Sequence, residues 1–497
     1  MIAQASDHKP VSDDVGRLGL LLGLIVGAAL RLWNLTLSSQ HTDEAFTFAL
    51  SALPVPALVH NVVIHDFHPP LFYLLTHYLM VWIPKPQWDY RYLTALFGCL
   101  TIIATWGAAR RMFGPLTAAI AALCVALAPA LVQHDRIYRM YAVTVALGTL
   151  AWWLLLEIEQ AAGRRRIVLA LTYVVVAVSL PLVDYFGILI LAAQGVYALT
   201  RRAALAPALL AIGVAFVAFV PWIGALREQL PLAGVSLSRP AFDIGLANSI
   251  AGAFAAGTPS QWFGWPGGAL APLVVVISLM LAGAWLGRRS ALPFWLSILA
   301  MQVAASVLVG KNLAYFPRYL LVDIPPVFIA VGLVVSTLAA AHLRVLAAAL
   351  GAALLAFFGF TVSNVVFDPF YQFPDWYAVN ALMLAHEEPA DAIVLDAGYE
   401  GLVVHNYTAF RGHTTLAFMN PADFDSILSW IAQHPNRRIW YVEHQHFYWD
   451  AKRRIASALG TRRRTLVSKQ WPHRLAVDDV TVTLFDKAPS LPMTRVR

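Results

Sequence analysis

From Arg17 to Val366 the chain consists of apolar runs close to bilayer-crossing length, with charges confined to the joints between them. About 20 apolar residues in helical form cover a hydrocarbon core, and backbone groups inside lipid must find their partners within the protein. With 59% hydrophobic and 13% charged residues among 497, the expected fold class is mainly α, a polytopic helical membrane protein of about eleven spans. We place these near Arg17–Trp33, Arg91–Ala109, Leu116–Val132, Met140–Leu156, Ile167–Leu182 and Tyr185–Thr200. The others fall near Ala203–Trp222, Leu270–Leu286, Ala291–Val309, Arg318–Ala340 and Val345–Val366. Short runs can re-enter rather than cross, so one pair could be re-entrant.

Charge placement gives an orientation. With the N-terminus in the cytoplasm, the cytoplasmic joints hold Arg110 and Arg111, Arg164 to Arg166, Arg201 and Arg202, Arg288 and Arg289, and Arg344. Arginines on alternate short joints obey the positive-inside rule. The net charge of +7 is therefore a topology signal, and a nucleic-acid partner is not expected. Residues 1–14 are polar and no small-residue cleavage site follows, so a cleaved signal is not expected either. Cys99 and Cys124 fall inside spans as small apolar packing groups.

The opposite side receives two long loops, residues 34–90 and 223–268, together with everything after Phe367. The function is expected there. Within the first loop, Glu44–Leu58 and Pro69–Trp82 suit helices lying in the interface, the second opened by the prolines of His68-Pro69-Pro70. In the tail, strand-length runs at Ala392–Leu395, Gly401–His405, Arg438–Val442, Thr465–Ser468 and Val480–Phe485 alternate with helical stretches. These stretches lie near Trp376–His386, Ala422–Ala432 and Ala451–Leu459, predicting a small α/β domain. The expected division is a membrane domain over 1–366 and an extracytoplasmic domain over 367–497. Asp423-Phe424-Asp425 resembles a nucleotide-sugar motif but reads better as the start of a helix after Pro421.

Several polar groups on that side could carry chemistry. Asp43 and Glu44 sit at the water-facing end of the first span. Asp43 could act as a general base, with Glu44 tuning it or touching substrate. Equally, Thr42 or Asp43 could cap an interfacial helix. His65, Asp66 and His68 suit contact with a phosphate or another substrate group, with a divalent cation as the alternative ligand. Asp135, Arg136 and Arg139 lie at helical spacing, and Tyr138 and Tyr141 add polar tips, making a patch for a phosphorylated or polyhydroxylated ligand. Lys311, Arg318 and Tyr319 would supply counter-charge to a lipid phosphate. Asp184 is a further acid at the membrane edge, most simply a helix cap. Interfacial anchoring accounts equally well for the arginines and lysine. His444 and His446 would share a strand face, an arrangement more typical of solvated surface than of a metal site.

The order of these segments carries a resemblance. Arg31-Leu32-Trp33-Asn34-Leu35 followed by Asp43-Glu44-Ala45 looks like the opening of the GT-C superfamily of membrane glycosyltransferases. The nearest likeness is to the family 39-like group, which includes lipid A aminoarabinose transferases and protein O-mannosyltransferases. His68-Pro69-Pro70-Leu71-Phe72-Tyr73, Arg91-Tyr92-Leu93, Arg139-Met140-Tyr141-Ala142, Asp184-Tyr185-Phe186-Gly187, Val220-Pro221-Trp222 and Pro317-Arg318-Tyr319-Leu320 follow in the family's order. Ile137 stands where the group often has an acid, Asp184 where relatives have His, and His68 where aminoarabinose transferases carry Lys.

The resemblance implies a polyprenyl-phosphate-linked sugar donor, a glycan, lipid or protein acceptor, and inverting displacement at the anomeric carbon. Asp43 would be the base, and His68, Arg139, Lys311 and Arg318 the groups at the leaving phosphate. The residues themselves demand no cofactor and leave a divalent cation open, and the resemblance implies the outer side of a bacterial cytoplasmic membrane as the place. The alternative is a transporter or flippase, which would usually keep ionisable groups near the bilayer midplane.

Overall fold

The computed structural model describes residues 12–235, 317–368, 374–396, 413–417, 423–444, 450, 452–472 and 479–488, with isolated positions between 278 and 299 and at 401 and 404. The chain forms two compact units. One comprises Met1–Leu35 and Leu53–Phe367, the other Thr36–Ala52 and Asp368–Arg497.

The first unit is helical. It contains α1 (Asp13–Leu32), α3 (Val55–His65), α4 (Leu71–Trp82), α5 (Arg91–Phe113), α6 (Pro115–Ala126), α7 (Pro129–Asp135), α8 (Tyr141–Ile158), α9 (Gly163–Val183), α10 (Phe186–Leu199), α11 (Arg202–Phe219) and α12 (Ile223–Val235). After the undescribed stretch, a 3-10 turn at Pro317–Asp323 leads into α13 (Ile324–Ala340) and then α14 (Arg344–Phe367). Helix α2 (Thr42–Ser51) belongs to the second unit.

Among the described residues seven helices are long and apolar enough to cross a membrane, or eight if the bent pair α6–α7 is one span. The chain is a multi-pass membrane protein. The span expected at Tyr185–Thr200 is a 14-residue apolar helix. The two expected at Leu270–Leu286 and Ala291–Val309 fall largely outside the described residues.

Close packing fixes the centre of this unit. Along α1, Gly16, Gly19, Gly23 and Gly27 are buried, and a Cβ on Gly19 would lie 2.3 Å from that of Ala119 on α6. Small residues let two helices approach in a setting where lipid supplies no hydrophobic driving force.

Where α6 bends by 57° into α7, Pro129 has no N–H to offer the Val125 carbonyl, and the break exposes the last carbonyls of α6. Arg31 on α1 fills that need. Its Nη1 donates to Ala126 O and Gly27 O, both at 3.1 Å, and its Nε donates to Asp135 Oδ2 at 2.7 Å. Reciprocally, Arg136 Nη1 donates to Leu30 O at 2.8 Å and Trp33 O at 2.7 Å, and Arg91 Nη1 to Leu35 O at 3.0 Å, at the end of α1. Gly98 on α5 leaves room for this exchange, because a Cβ there would lie 2.3 Å from Asp135 Oδ2.

The patch anticipated at Asp135, Arg136 and Arg139 is therefore divided. Helix α7 ends at Asp135, and a turn sends the first two residues into the packing and the third elsewhere.

The second unit is an α/β sandwich. Strands β1 (Ala392–Leu395), β2 (Thr414–Ala417), β3 (Ile439–His444), β4 (Thr465–Trp471) and β5 (Val480–Phe485) lie in the order β2-β1-β3-β5-β4. The pairs of β1 with β2 and β3 are parallel, and those of β5 with β3 and β4 are antiparallel. Strands β1 and β3 are buried throughout.

On one sheet face Ile393, Leu395, Trp440 and Val442 pack with Trp376, Val379 and Met383 of α15 (Trp376–His386) and with Ala45 of α2. On the other, Val394, Ile439 and Tyr441 pack with α16 (Asp423–Gln433) and α17 (Arg454–Arg462). Ser39 Oγ also accepts from the Trp376 N–H at 2.9 Å. The first-loop segment carrying Asp43 and Glu44 is thus part of the tail's core, although its position in sequence groups it with the membrane region. The strand expected at Gly401–His405 is not formed at its two described positions, Gly401 and Val404, which are helical. The expected helix after Pro421 is α16, with Asp423 and Asp425 in its first turn.

Asp135→Ala is expected to lower unfolding stability by about 3–5 kcal/mol, since it strands Arg31 in the interior, and Asp135→Asn by less. Thermal unfolding in detergent checks both. Trp376→Ala is expected to cost about 3–5 kcal/mol of second-unit stability, measured by denaturant titration.

Candidate active site

Two groups of the anticipated residues take shape, one in each unit. The first-unit group begins where α3 ends. Asp66 leaves the helix in extended conformation, and its Oδ1 accepts from the Phe67 N–H at 2.8 Å and from His68 Nδ1 at 2.9 Å. Prolines 69 and 70 follow, and Pro70 precedes the first turn of α4, where a missing N–H costs nothing. Within the first turn of α4, the Tyr73 hydroxyl donates to Asp66 Oδ2. Arg139 Nη1 in turn donates to the Tyr73 oxygen at 2.9 Å. The chain His68–Asp66–Tyr73–Arg139 is buried throughout.

Electrostatics fix the protons in this chain. Burial alone would push the Asp66 carboxyl up, yet the charge and hydrogen bond of His68, the charge of Arg139 and the Tyr73 hydroxyl outweigh it. They hold Asp66 below its ordinary value of 3.8. An ionised Asp66 only accepts, so His68 carries a proton on Nδ1 and Tyr73 is the donor to Oδ2. With its own proton committed to Asp66, the Tyr73 oxygen offers Arg139 a lone pair.

Tyr141 and Asp184 extend the group. His68, His134 and the Arg318 guanidinium all face the Tyr141 ring, at 6.5, 5.8 and 5.9 Å. Asp184 ends α9, accepts from the Phe186 N–H at 3.0 Å and from the Thr144 hydroxyl at 3.4 Å, and lies within the fields of His68 and Arg139. Capping is therefore part of its role, as the sequence suggested. Gln229 of α12 locks the loop by donating to Val62 O at 2.8 Å and His68 O at 3.2 Å, while accepting from Tyr185. Arginines of this kind beside buried histidine and tyrosine can hold a phosphate and its developing charge.

Other expected members lie elsewhere. His65 is exposed at the end of α3, so the trio His65, Asp66 and His68 does not converge. Asp135 is committed to Arg31, 2.7 Å away. Tyr319 lies in the 3-10 turn that carries Arg318, and Lys311 and His446 are outside the described residues. Among the described residues no group of three or more His, Cys, Asp or Glu is arranged to hold a metal ion.

The second-unit group is the acidic pair. Glu44 is fully buried, and its carboxylate accepts from the His41 N–H at 2.8 Å, while His41 Nδ1 accepts from the Asp43 N–H at 3.1 Å. This is a capping box with histidine as the cap, where the sequence pointed to Thr42 or Asp43. The Asp43 side chain keeps 31% of its surface accessible, with its carboxylate 3.9 Å from His41.

Tyr73 and Gln229 were missed by reasoning from sequence. Tyr73 had a detectable signal: it falls on the first turn after the diproline, five residues from His68. Gln229 had none, since its partners are 161 and 167 residues away.

Comparison with known proteins bears on the fold. A family model described as dolichyl-phosphate-mannose-protein mannosyltransferase matches residues 67–224. No curated protein matches the chain. Among solved structures, ArnT from Cupriavidus metallidurans bound to undecaprenyl phosphate superposes with a TM-score of 0.55 at 15% identity, over 93% of this chain and 97% of that one. Its apo state gives 0.55 at 16%, over 95% and 98%. The Archaeoglobus fulgidus oligosaccharyltransferase complexed with zinc and sulfate gives 0.54 at 14%, over 86% and 68%. The chain has the fold of the GT-C membrane glycosyltransferases and resembles them in sequence from Phe67 to Gly224.

Proposed function

We propose that this protein is an inverting glycosyltransferase that moves a sugar from a polyprenyl-phosphate carrier to an envelope acceptor on the outer side of a bacterial cytoplasmic membrane. The carrier class follows from the ArnT neighbour, which is bound to undecaprenyl phosphate. The observation that carries the reading is the buried His68–Asp66–Tyr73–Arg139 chain with Arg318 over Tyr141. Preorganised cations and donors with no water to compete are what a departing phosphate requires.

In the proposed step the acceptor hydroxyl oxygen attacks the anomeric carbon from the face opposite the phosphate. Its proton passes to Asp43, which remains part-accessible. The bond from the anomeric carbon to the phosphate oxygen breaks, and its electron pair stays on that oxygen, where Arg139 and Arg318 offset the added charge. Glu44 positions Asp43 by closing the first turn of α2. The acceptor is a lipid, glycan or protein. No step requires a metal.

Asp43→Asn is expected to cut transfer by about 10²–10⁴-fold while leaving donor affinity intact. The check is radiolabelled sugar transfer in detergent, beside donor titration. Undiminished turnover would remove Asp43 as the base. Product formed in detergent, where no gradient exists, also separates transferase from transporter.

Arg139→Ala is expected to lower kcat by about 10²–10³-fold. Tyr73→Phe should give a smaller loss, since Arg139 keeps its charge but loses its anchor. Because Asp66 is held below 3.8, its stabilising contribution is fully present above about pH 4 and is lost as pH falls through the depressed value. Wild-type Tm measured downward from pH 6 should show that acid limb, and Asp66→Asn should remove it.

A further inference from the structure

At the far end of α8 from Tyr141 lies a second polar pocket, of about 290 Å³, lined by Asp13, Trp106, Arg110, Arg111, Trp153 and Glu157 among others. Tyr141 and Glu157 are separated by about 24 Å along the helix at 1.5 Å per residue, so this pocket is distinct from the candidate active site.

Its charges can be assigned one by one. Arg110 Nη2 donates to Asp13 at 2.8 Å, with its guanidinium 5.3 Å from the Trp106 ring. Glu157 accepts from Arg165 at 2.6 Å and from the Trp153 indole N–H at 3.4 Å. Both carboxylates are thereby matched by a cation. Arg111 is half-buried and makes no ion pair or hydrogen bond among the described residues. Among the described residues, the pocket is left with one uncompensated positive charge.

The walls are built to stay in place. Trp106 donates to Gly16 O at 2.8 Å, and the Trp153 ring lies so flat on Gly107 that a Cβ there would come within 2.2 Å of it. Two indoles beside arginines at the end of a helical bundle mark the depth of a membrane–water boundary.

We propose that this pocket binds the phosphodiester headgroup of a leaflet phospholipid, with Arg111 on the phosphate and the two indoles flanking the glycerol end. One spare cation matches one phosphodiester charge. Basic pockets between membrane helices hold anionic headgroups in this way. The arginine-rich joints assign this end to the cytoplasmic leaflet.

The test uses the full-length protein in detergent, with short-chain phosphatidylglycerol as probe, native mass spectrometry for bound lipid and thermal shift for stabilisation. Arg111→Gln is expected to weaken lipid retention about tenfold, the usual cost of one charge-assisted contact. Arg111→Lys should restore most of it. Arg164→Gln, which removes a charge at the same end without touching the pocket, should leave retention unchanged. Equal retention by wild type and Arg111→Gln overturns the proposal, as does an equal loss in Arg164→Gln. Competition by inorganic phosphate at the concentration of the lipid would show that the site takes a soluble phosphate, and so would refute the lipid assignment.

Discussion

Two arginines exchanged between helices hold the first unit together. Inside lipid a broken helix leaves carbonyls that water cannot reach, and each carries a cost of several kcal/mol. Pro129 stands at such a break, where α6 bends by 57° into α7. Arg31 reaches from α1 to the carbonyl freed at Ala126, while Arg136 reaches back from the end of α7 to the carbonyls freed at Leu30 and Trp33. Asp135 balances the guanidinium that lies deepest. Removing charge from this crossing would leave polar backbone exposed on both helices at once. The turn at residues 136–140 is thereby set, and it delivers Arg139 to Tyr73 and Tyr141 to His68.

The buried chain of side chains from His68 to Arg139 depends on a different kind of economy. A buried carboxylate is costly unless every lone pair is used. Asp66 meets that demand with Phe67, His68 and Tyr73. The consequence is directional: His68 Nδ1 and the Tyr73 hydroxyl both donate to Asp66, and the Tyr73 oxygen is left to accept from Arg139. His68 is held by a carboxylate partner, with its Nδ1 2.9 Å from Asp66 Oδ1.

Much of the architecture could be read from the chain because hydrocarbon thickness and strand alternation leave few choices. The apolar runs located the helices, and β1 and β5 begin and end at the expected residues. Pairing at a distance was harder to read. The 3.6-residue spacing grouped Asp135, Arg136 and Arg139, but α7 stops at Asp135 and the turn that follows aims them at three different partners. Arg31 registered only as a letter in a motif, since nothing local reveals that its partner lies 104 residues on. Strand β2 has four residues and no fully buried side chain, so its sequence lacks the apolar signature that marked β1 and β3. Histidine seldom serves as a cap, and it is the pair of bonds, Asp43 N–H to His41 Nδ1 and His41 N–H to the Glu44 carboxylate, that identifies His41 as one.

The excursion of residues 36–52 into the second unit limits how such a protein can be re-engineered or can diversify. Its acidic helix shares apolar packing with Trp376 and Trp440, so this loop and the tail form one module despite more than 300 intervening residues. A chimera that exchanges tails between related proteins must carry this loop across as well. Recombination at a single junction would separate an acidic turn from the core on which it folds.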